Sequence, residues 1–295
     1  MFSWFMRQVA LSLTVFVLAS AGIAGTGDLD QIRRDGVLRH LGIPYANFVT
    51  GAGDGLDVEL VRGFAESLGV RYEFVETNWS QAFGDLTGRH ARRTGRKAER
   101  FGNTPVRGDL IANGMTVLDW RAEVVDFSEP TFPSGVWLIA QAESPLSPIN
   151  PTGLISSDII ETKARLPGVS VLALTNTCLD PGLYNLEATS AEIRLLPKER
   201  KLNEMIPALL NNDGETTLLD VPDALIALQR WPGRIKVIGP ISDDQQMAVA
   251  FRPSSPELRT AFNKYLAGTR ANGDYARLVE KYYPSVFDYF PGFFD

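Results

Sequence analysis

The sequence predicts an α/β fold built on parallel strands, with a second lobe beyond a proline-rich crossing. Three observations carry this. Short runs alternate apolar and polar residues, and the segments between them place apolar residues at helical spacing. The two patterns take turns along the chain, as they do where helices return a chain to parallel strands. Near the middle, Pro145, Pro148 and Pro151 interrupt the alternation.

The elements follow in order. Residues 28–34 read as a short helix ended by Asp35-Gly36, and 37–43 as a strand stopped by Pro44. A glycine-rich turn at 51–55 precedes a helix over 57–68, where Val58, Val61, Phe64, Ala65 and Leu68 share one face and Gly69 is the stop. Residues 70–75 are a strand and 80–86 a short helix. The stretch 89–100 breaks the pattern: Arg89, Arg92, Arg93, Arg96, Lys97 and Arg100 stand against one acid, Glu99. It is expected to be a solvated, mobile surface insertion, the alternative being a patch for an anionic partner or membrane surface. Strands are expected at 109–115 and 136–140, then the crossing at 144–151. Beyond it, helices fall at 154–166, 180–189, 202–211 and 222–229, with strands at 169–174, 216–219, 235–238 and 246–251. Helices over 256–268 and 274–282 close the chain. The last stretch carries Phe287, Tyr289, Phe290, Phe293 and Phe294, which are expected to pin the tail to the body.

Composition narrows the function. The chain has 295 residues, 44% hydrophobic and 22% charged, enough for two modest cores or one large one. A net charge of −6 gives no footprint for nucleic acid. Two histidines, His40 and His90, and one cysteine, Cys178, leave no zinc ligand set. No metal and no cofactor are expected. At the N-terminus, Arg7, an apolar run over 9–18 and Ala19-Ser20-Ala21 form a cleavable signal peptide, residues 1–21, with Gly22-Ile23-Ala24 as a second cleavage choice. The run is short for a retained span of about 20 residues. No cysteine lies near the cleavage site, so a periplasmic protein without a lipid anchor is expected. Cys178 has no internal disulfide partner there; it is either buried and inert or a free thiol.

Four segments in order resemble the family 3 bacterial extracellular solute-binding proteins, the amino-acid-type receptors of ABC importers. Gly42-Ile43-Pro44-Tyr45-Ala46-Asn47-Phe48 and Gly55-Leu56-Asp57-Val58-Glu59-Leu60 match its P-Y-x-P-F loop and G-F-D-V-D-L helix start. Thr116-Val117-Leu118-Asp119-Trp120-Arg121 and Val125-Asp126-Phe127-Ser128-Glu129-Pro130 match T-x-T-x-x-R and V-D-F-S-x-P-Y. Leu218-Leu219-Asp220-Val221-Pro222 and Ala271-Asn272-Gly273-Asp274-Tyr275 complete the set. The resemblance implies the type II periplasmic binding (Venus-flytrap) fold. Lobe 1 would be discontinuous, 28–138 plus 247–295 with a basic insertion at 88–106; lobe 2 would be 139–246. Hinge strands would lie near 137–142 and 246–251.

The resemblance also implies roles. Arg121 falls on the arginine that takes the ligand carboxylate, a task suited to the planar guanidinium fork; the structural alternative is an ion pair with Asp119, Glu123 or Asp126. Thr116 falls on a hydroxyl for the same carboxylate, and Gly114 would present backbone. Asp220 falls on the acid that receives an amino group, although Asp before Val221-Pro222 is also a good helix cap. Tyr45, Phe48 and Trp79 would wall the side-chain pocket. Asn176, Thr177 and Cys178 precede an expected helix whose N-terminus suits an anion. Departures are present: Leu118 replaces a threonine, Thr175-Asn176-Thr177-Cys178 replaces a Gly-Thr-Thr run, Thr131-Phe132 replaces the aromatic after S-x-P, and typical members lack the basic insertion. They point to a carboxylate-bearing ligand, an amino acid or related organic acid, rather than to one amino acid. The expected partners are that ligand and an ABC permease, with the protein a monomer. The same fold resembles a cyclohexadienyl dehydratase and the sensory part of lytic murein transglycosylases, so a signalling module or, further off, an enzyme are the alternatives. No distinctive acid pair or available histidine supports a dehydratase, and the sequence after Tyr282 is expected to be too short for a transglycosylase domain.

Overall fold

The structure, a computed structural model, describes residues 28–197 and 200–294; the expected signal peptide lies outside them. In chain order the elements are α1 (Asp28–Asp35), β1 (Val37–Gly42), α2 (Leu56–Leu68), β2 (Arg71–Glu76), α3 (Ala82–Thr87), β3 (Arg89–Thr94), β4 (Lys97–Asn103), β5 (Leu110–Ile111), α4 (Asp119–Ala122), β6 (Asp126–Phe127), β7 (Phe132–Ser134) and β8 (Val136–Gln141). They continue with α5 (Ile155–Lys163), β9 (Ser170–Ala173), β10 (Glu192–Leu195), α6 (Met205–Leu210), β11 (Thr216–Asp220), α7 (Val221–Arg230), β12 (Ile235–Pro240), β13 (Gln245–Met247), β14 (Ala250–Phe251), α8 (Pro256–Ala271), α9 (Asp274–Tyr282) and α10 (Val286–Tyr289).

Two five-stranded sheets make two lobes. The first runs β2-β1-β5-β14-β6 and the second β10-β9-β11-β8-β12. β1 is parallel to β2 and β5, while β14 and β8 run against their neighbours. The second sheet begins at Val136. The chain therefore crosses between lobes just before β8, and not at the proline-rich 144–151 segment. The return passes through β13, which pairs with β7 as a two-stranded ribbon.

Local chemistry explains the elements that place the cleft. α2 buries Leu56, Val58, Leu60, Val61, Phe64 and Ala65, and Gly69 ends it in the left-handed conformation, as a C-terminal glycine does. The loop before it turns on Gly55 at φ +135°, where a Cβ would lie 2.2 Å from the Phe48 carbonyl oxygen. That close approach seats the start of α2 on the Tyr45–Phe48 turn, whose carbonyls of Asn47 and Phe48 accept the Leu56 and Asp57 amides at 2.8 and 3.1 Å.

The basic stretch is not the mobile insertion expected from charge. It is an ordered antiparallel hairpin, β3 against β4, in which Arg92 faces Glu99 across the strands at 2.8 Å. The helix expected over 180–189 is instead two short 3-10 turns, Pro181–Leu183 and Leu186–Thr189, with Asn185 and Ser190 at positive φ. Among the described residues no helix is long and apolar enough to cross a membrane.

Candidate functional site

A cavity of about 660 Å³ opens between the lobes. Tyr45, Thr77, Asn78, Trp79 and Trp120 line it from the first lobe; Leu174, Thr175, Asn176 and Thr177 line it from the second. The hairpin adds Ala91, Arg92 and Phe101. Tyr45, Trp79, Asn176 and Thr177 are thus brought to one space. Beside them a buried polar cluster gathers Arg121, Thr116, Cys178 and Asp220.

Arg121 sits in α4 and is 1% exposed. Its Nη1 donates to the Thr116 carbonyl at 2.9 Å, while Nε and Nη2 are buried without a partner. Its guanidinium lies 5.0 Å from the Trp79 ring centre and 5.5 Å from that of Trp120, within reach of favourable cation–π attraction. Glu123 bonds the hairpin and Asp126 pairs with Arg259, so neither serves Arg121. Among the described residues Arg121 forms no ion pair. Burial pulls its pKa down, against Cys178, Tyr184, Asp220 and Tyr45, which push it up; a guanidinium stays protonated through such a shift. A buried cation with two idle donors is costly unless something anionic meets it.

Asp220 ends β11 and is 1% exposed. Its Oδ2 accepts from the Tyr45 hydroxyl across the cleft and from the Cys178 thiol at 3.5 Å; its Oδ1 has no partner. Asp220 stands at the cap of α7 without a cap bond of good geometry, the Asp223 and Asp220 amides lying only near enough to help hold its pKa down. Burial raises its pKa to about 6, opposed by the bonds from Tyr45 and Cys178. One turn on, Asp223 is buried too, its Oδ2 unpartnered, and burial with Asp220 nearby holds its pKa well above the usual carboxylate range. Asp223 lies in the first turn of α7, three residues past the Asp220 cap, and that acid spacing at a helix start is the signal the sequence offers for it.

The remaining predicted residues divide. Thr116 is buried, bridged to Met247, and its carbonyl braces Arg121. Gly114 sits at φ +63° with its amide held by Asp57 at 2.6 Å, leaving only its carbonyl. Phe48 lies in the core, stacked on Tyr45 and edge-on to Phe132, and lines neither cavity described here. The Thr177 hydroxyl is spent inside its own loop, donating to Leu174 and accepting from Leu179. The Cys178 thiol is buried and burial raises its pKa well above the ordinary value, so it is not a reactive thiolate in this state. Because a three-residue turn follows this loop, the helix N-terminus expected there is absent; Asp180 instead accepts the amides of Asn176 and Gly182, each at 3.0 Å. A second cavity of about 250 Å³ lies near Asn47, Leu202, Asp223 and Trp231. His40 is buried with both ring nitrogens engaged, by Tyr72 and by the Ala112 carbonyl, and burial lowers its pKa to about 4.

Comparisons with known proteins agree with this architecture. The model for bacterial extracellular solute-binding proteins, family 3, matches residues 105–285. A mutant of ArgBP from T. maritima superposes with a TM-score of 0.67 at 20% identity, covering 87% of this chain and 99% of that one. An ancestral amino acid-binding protein, a precursor of cyclohexadienyl dehydratase, gives 0.67 at 23% identity, covering 88% and 100%. Among curated sequences, a membrane-bound lytic murein transglycosylase F of Desulfosudis oleivorans is 28% identical over 238 residues, 80% of this chain and 46% of that protein. Another, of Pseudomonas putida, is 24% identical over 277 residues, 92% and 51%. The chain spans about half the length of these relatives. A probable histidine-binding protein of Campylobacter jejuni is 22% identical over 229 residues, 77% and 76%. With the family model matched over more than half its length and two α/β lobes around a polar cleft, the chain belongs to the bacterial extracellular solute-binding proteins, family 3.

Proposed function

We propose that this protein is a periplasmic receptor that closes on a small carboxylate-bearing ligand, an amino acid or related polar organic acid, and passes it to an ABC permease. The carrying observation is Arg121, a buried guanidinium with Nε and Nη2 unpartnered and no ion pair among the described residues. A carboxylate accepts two parallel bonds from such a fork. Asp220, whose Oδ1 is also unpartnered, supplies the opposite pole for an amino group. Tyr45, Trp79, Thr116, Asn176 and Thr177 complete the binding shell, while Gly114, Phe48 and Cys178 shape it. Binding across both lobes favours the closed form, because a ligand touching both gains contacts the open form lacks. The reading is capture without chemistry.

A second reading has its own support. The relatives that the chain matches over about half their length are named membrane-bound lytic murein transglycosylase F and not transport receptors, and a binding module that reports a ligand to a partner is the alternative to transport. Uptake separates the two: a strain lacking the gene fails to import the ligand if the protein serves a permease, and imports it normally if it serves a sensor.

A thermal-shift screen of the mature protein against amino acids, dicarboxylates and aromatic acids tests the binding itself. A ligand at a hundredfold excess over Kd adds about 2.7 kcal/mol of stability. Isothermal titration of Arg121→Ala with the ligand so found should show affinity falling at least about a hundredfold; unchanged affinity would remove the clamp.

A further inference from the structure

We propose that the 89–103 hairpin is a clasp that crosses the cleft and holds the lobes closed. One end is tied to the first lobe. The Ala98 amide donates to Glu123 Oε2 at 3.0 Å, and Arg100 Nη2 donates to the Glu123 carbonyl. Glu123 is two residues beyond Arg121, at the end of the same short helix. The Thr104 amide donates to the Gly88 carbonyl at 3.0 Å, closing the base of the hairpin.

The other end reaches the second lobe. Arg93 Nη2 forms an ion pair with Asp180 Oδ1, and Arg93 Nη1 donates to the Gly95 carbonyl at 2.6 Å, which holds the side chain at the hairpin tip. This is not an ordinary surface pair: the two side chains are only 15% and 8% exposed. The guanidinium packs so closely over the second lobe that a Cβ on Gly182 would lie 3.0 Å from Nη2. The other ion pair of the hairpin among the described residues, Arg92–Glu99, lies within the hairpin itself and is 57% and 45% exposed; exposed pairs of that kind contribute little.

The position gives the pair its consequence. Asp180 also accepts the amides of Asn176 and Gly182, so the loop that walls the cavity and the clasp share one carboxylate. Tyr45–Asp220 bridges the lobes inside the cleft, and Arg93–Asp180 bridges them at the hairpin. Opening must break both. Because Asp180 keeps its two amide bonds when Arg93 is lost, removing the arginine loosens closure without dismantling the loop. The clasp concerns lobe geometry and holds whatever the cleft binds.

The buried thiol of Cys178 gives a readout that needs no ligand. It contacts Asp220 of its own lobe and adjoins Thr116 and Arg121 of the other, so its reaction with dithionitrobenzoate reports opening. In the ligand-free full protein, Arg93→Met is expected to speed that reaction about tenfold, the scale of a desolvated charge-assisted pair, and to raise the radius of gyration in small-angle scattering. Arg93→Lys, which keeps the charge, should fall between. Arg96→Met, an equal loss of charge at an exposed position of the same hairpin, should match wild type. The clasp is overturned if Arg93→Met matches wild type in both measurements, if the thiol reacts faster with no change in radius, or if Arg96→Met has the same effect as Arg93→Met.

Discussion

Asp57→Asn should flatten the dependence of stability on pH, and the structure sets the size of the change. Asp57 opens α2, is 2% exposed, and holds the Gly114 amide at 2.6 Å while its Oδ1 has no partner. Burial raises its pKa from 3.8 to about 7, the Gly114 bond opposing. A carboxyl whose pKa rises on folding supports the fold while protonated. That support is complete below its unfolded value of 3.8 and is lost as pH climbs through about 7. At about 1.4 kcal/mol per pH unit, the full loss is about 4 kcal/mol, of which about 2–3 kcal/mol falls between pH 5 and pH 7. Asparagine keeps an oxygen for the Gly114 amide and cannot ionise. Urea denaturation of wild type and Asp57→Asn at pH 5 and pH 8 measures both slopes, and Asp220, raised to about 6, contributes equally to each. The wild type should lose about 2–3 kcal/mol more than the variant over that interval. Parallel profiles would refute a protonated Asp57 in the fold.

Two further substitutions probe the polar cluster. Arg121→Met removes a buried cation with idle donors and replaces it with apolar volume, so ligand-free stability should hold or rise by about 1–3 kcal/mol in denaturant titration while ligand binding is lost; a fall of several kcal/mol would mark the arginine as a structural strut. Gly114→Ala places a Cβ 2.4 Å from the Phe48 ring at φ +63°, and should cost about 2–4 kcal/mol from backbone strain plus overpacking, seen as a lowered urea midpoint with an unchanged m-value.

Much of the frame was legible because local pattern and tertiary role coincide there. The 57–68 periodicity became α2 because that helix buries the face its spacing marks; the alternation at 70–75 became β2 through its parallel pairing with β1, although the edge strand leaves Tyr72 half-buried and Phe74 exposed. The expected strand at 109–115 shrank to Leu110–Ile111, since β1 and β14 offer partners only over those residues. The hairpin was hidden by its own composition: Ala91 is the one apolar residue of β3, set among charged and polar neighbours, so no apolar alternation announces it. In the site, Arg121, Thr116 and Asp220 were readable as short motifs. What held them was not. Asp57 reaches Gly114 across 57 positions and Tyr45 reaches Asp220 across 175, and no local spacing encodes such pairs. Phe48 shows the reverse error, where a motif position turns out to be spent on packing.

The ribbon that joins the lobes has a consequence for engineering. Ser134 and Gln245 are register partners at its far end, so the whole intervening segment enters and leaves the first lobe at one point. Asp28 accepts from the Leu258 amide at 3.0 Å, which fastens the first helix to the helices that end the chain on that same side. A tight turn grafted between Ser134 and Gln245 would therefore excise the second sheet and leave an uninterrupted first one. Conversely, any segment put in place of the second sheet would have to begin and end a strand spacing apart at this junction, and would have to cover the apolar surface that the two lobes share.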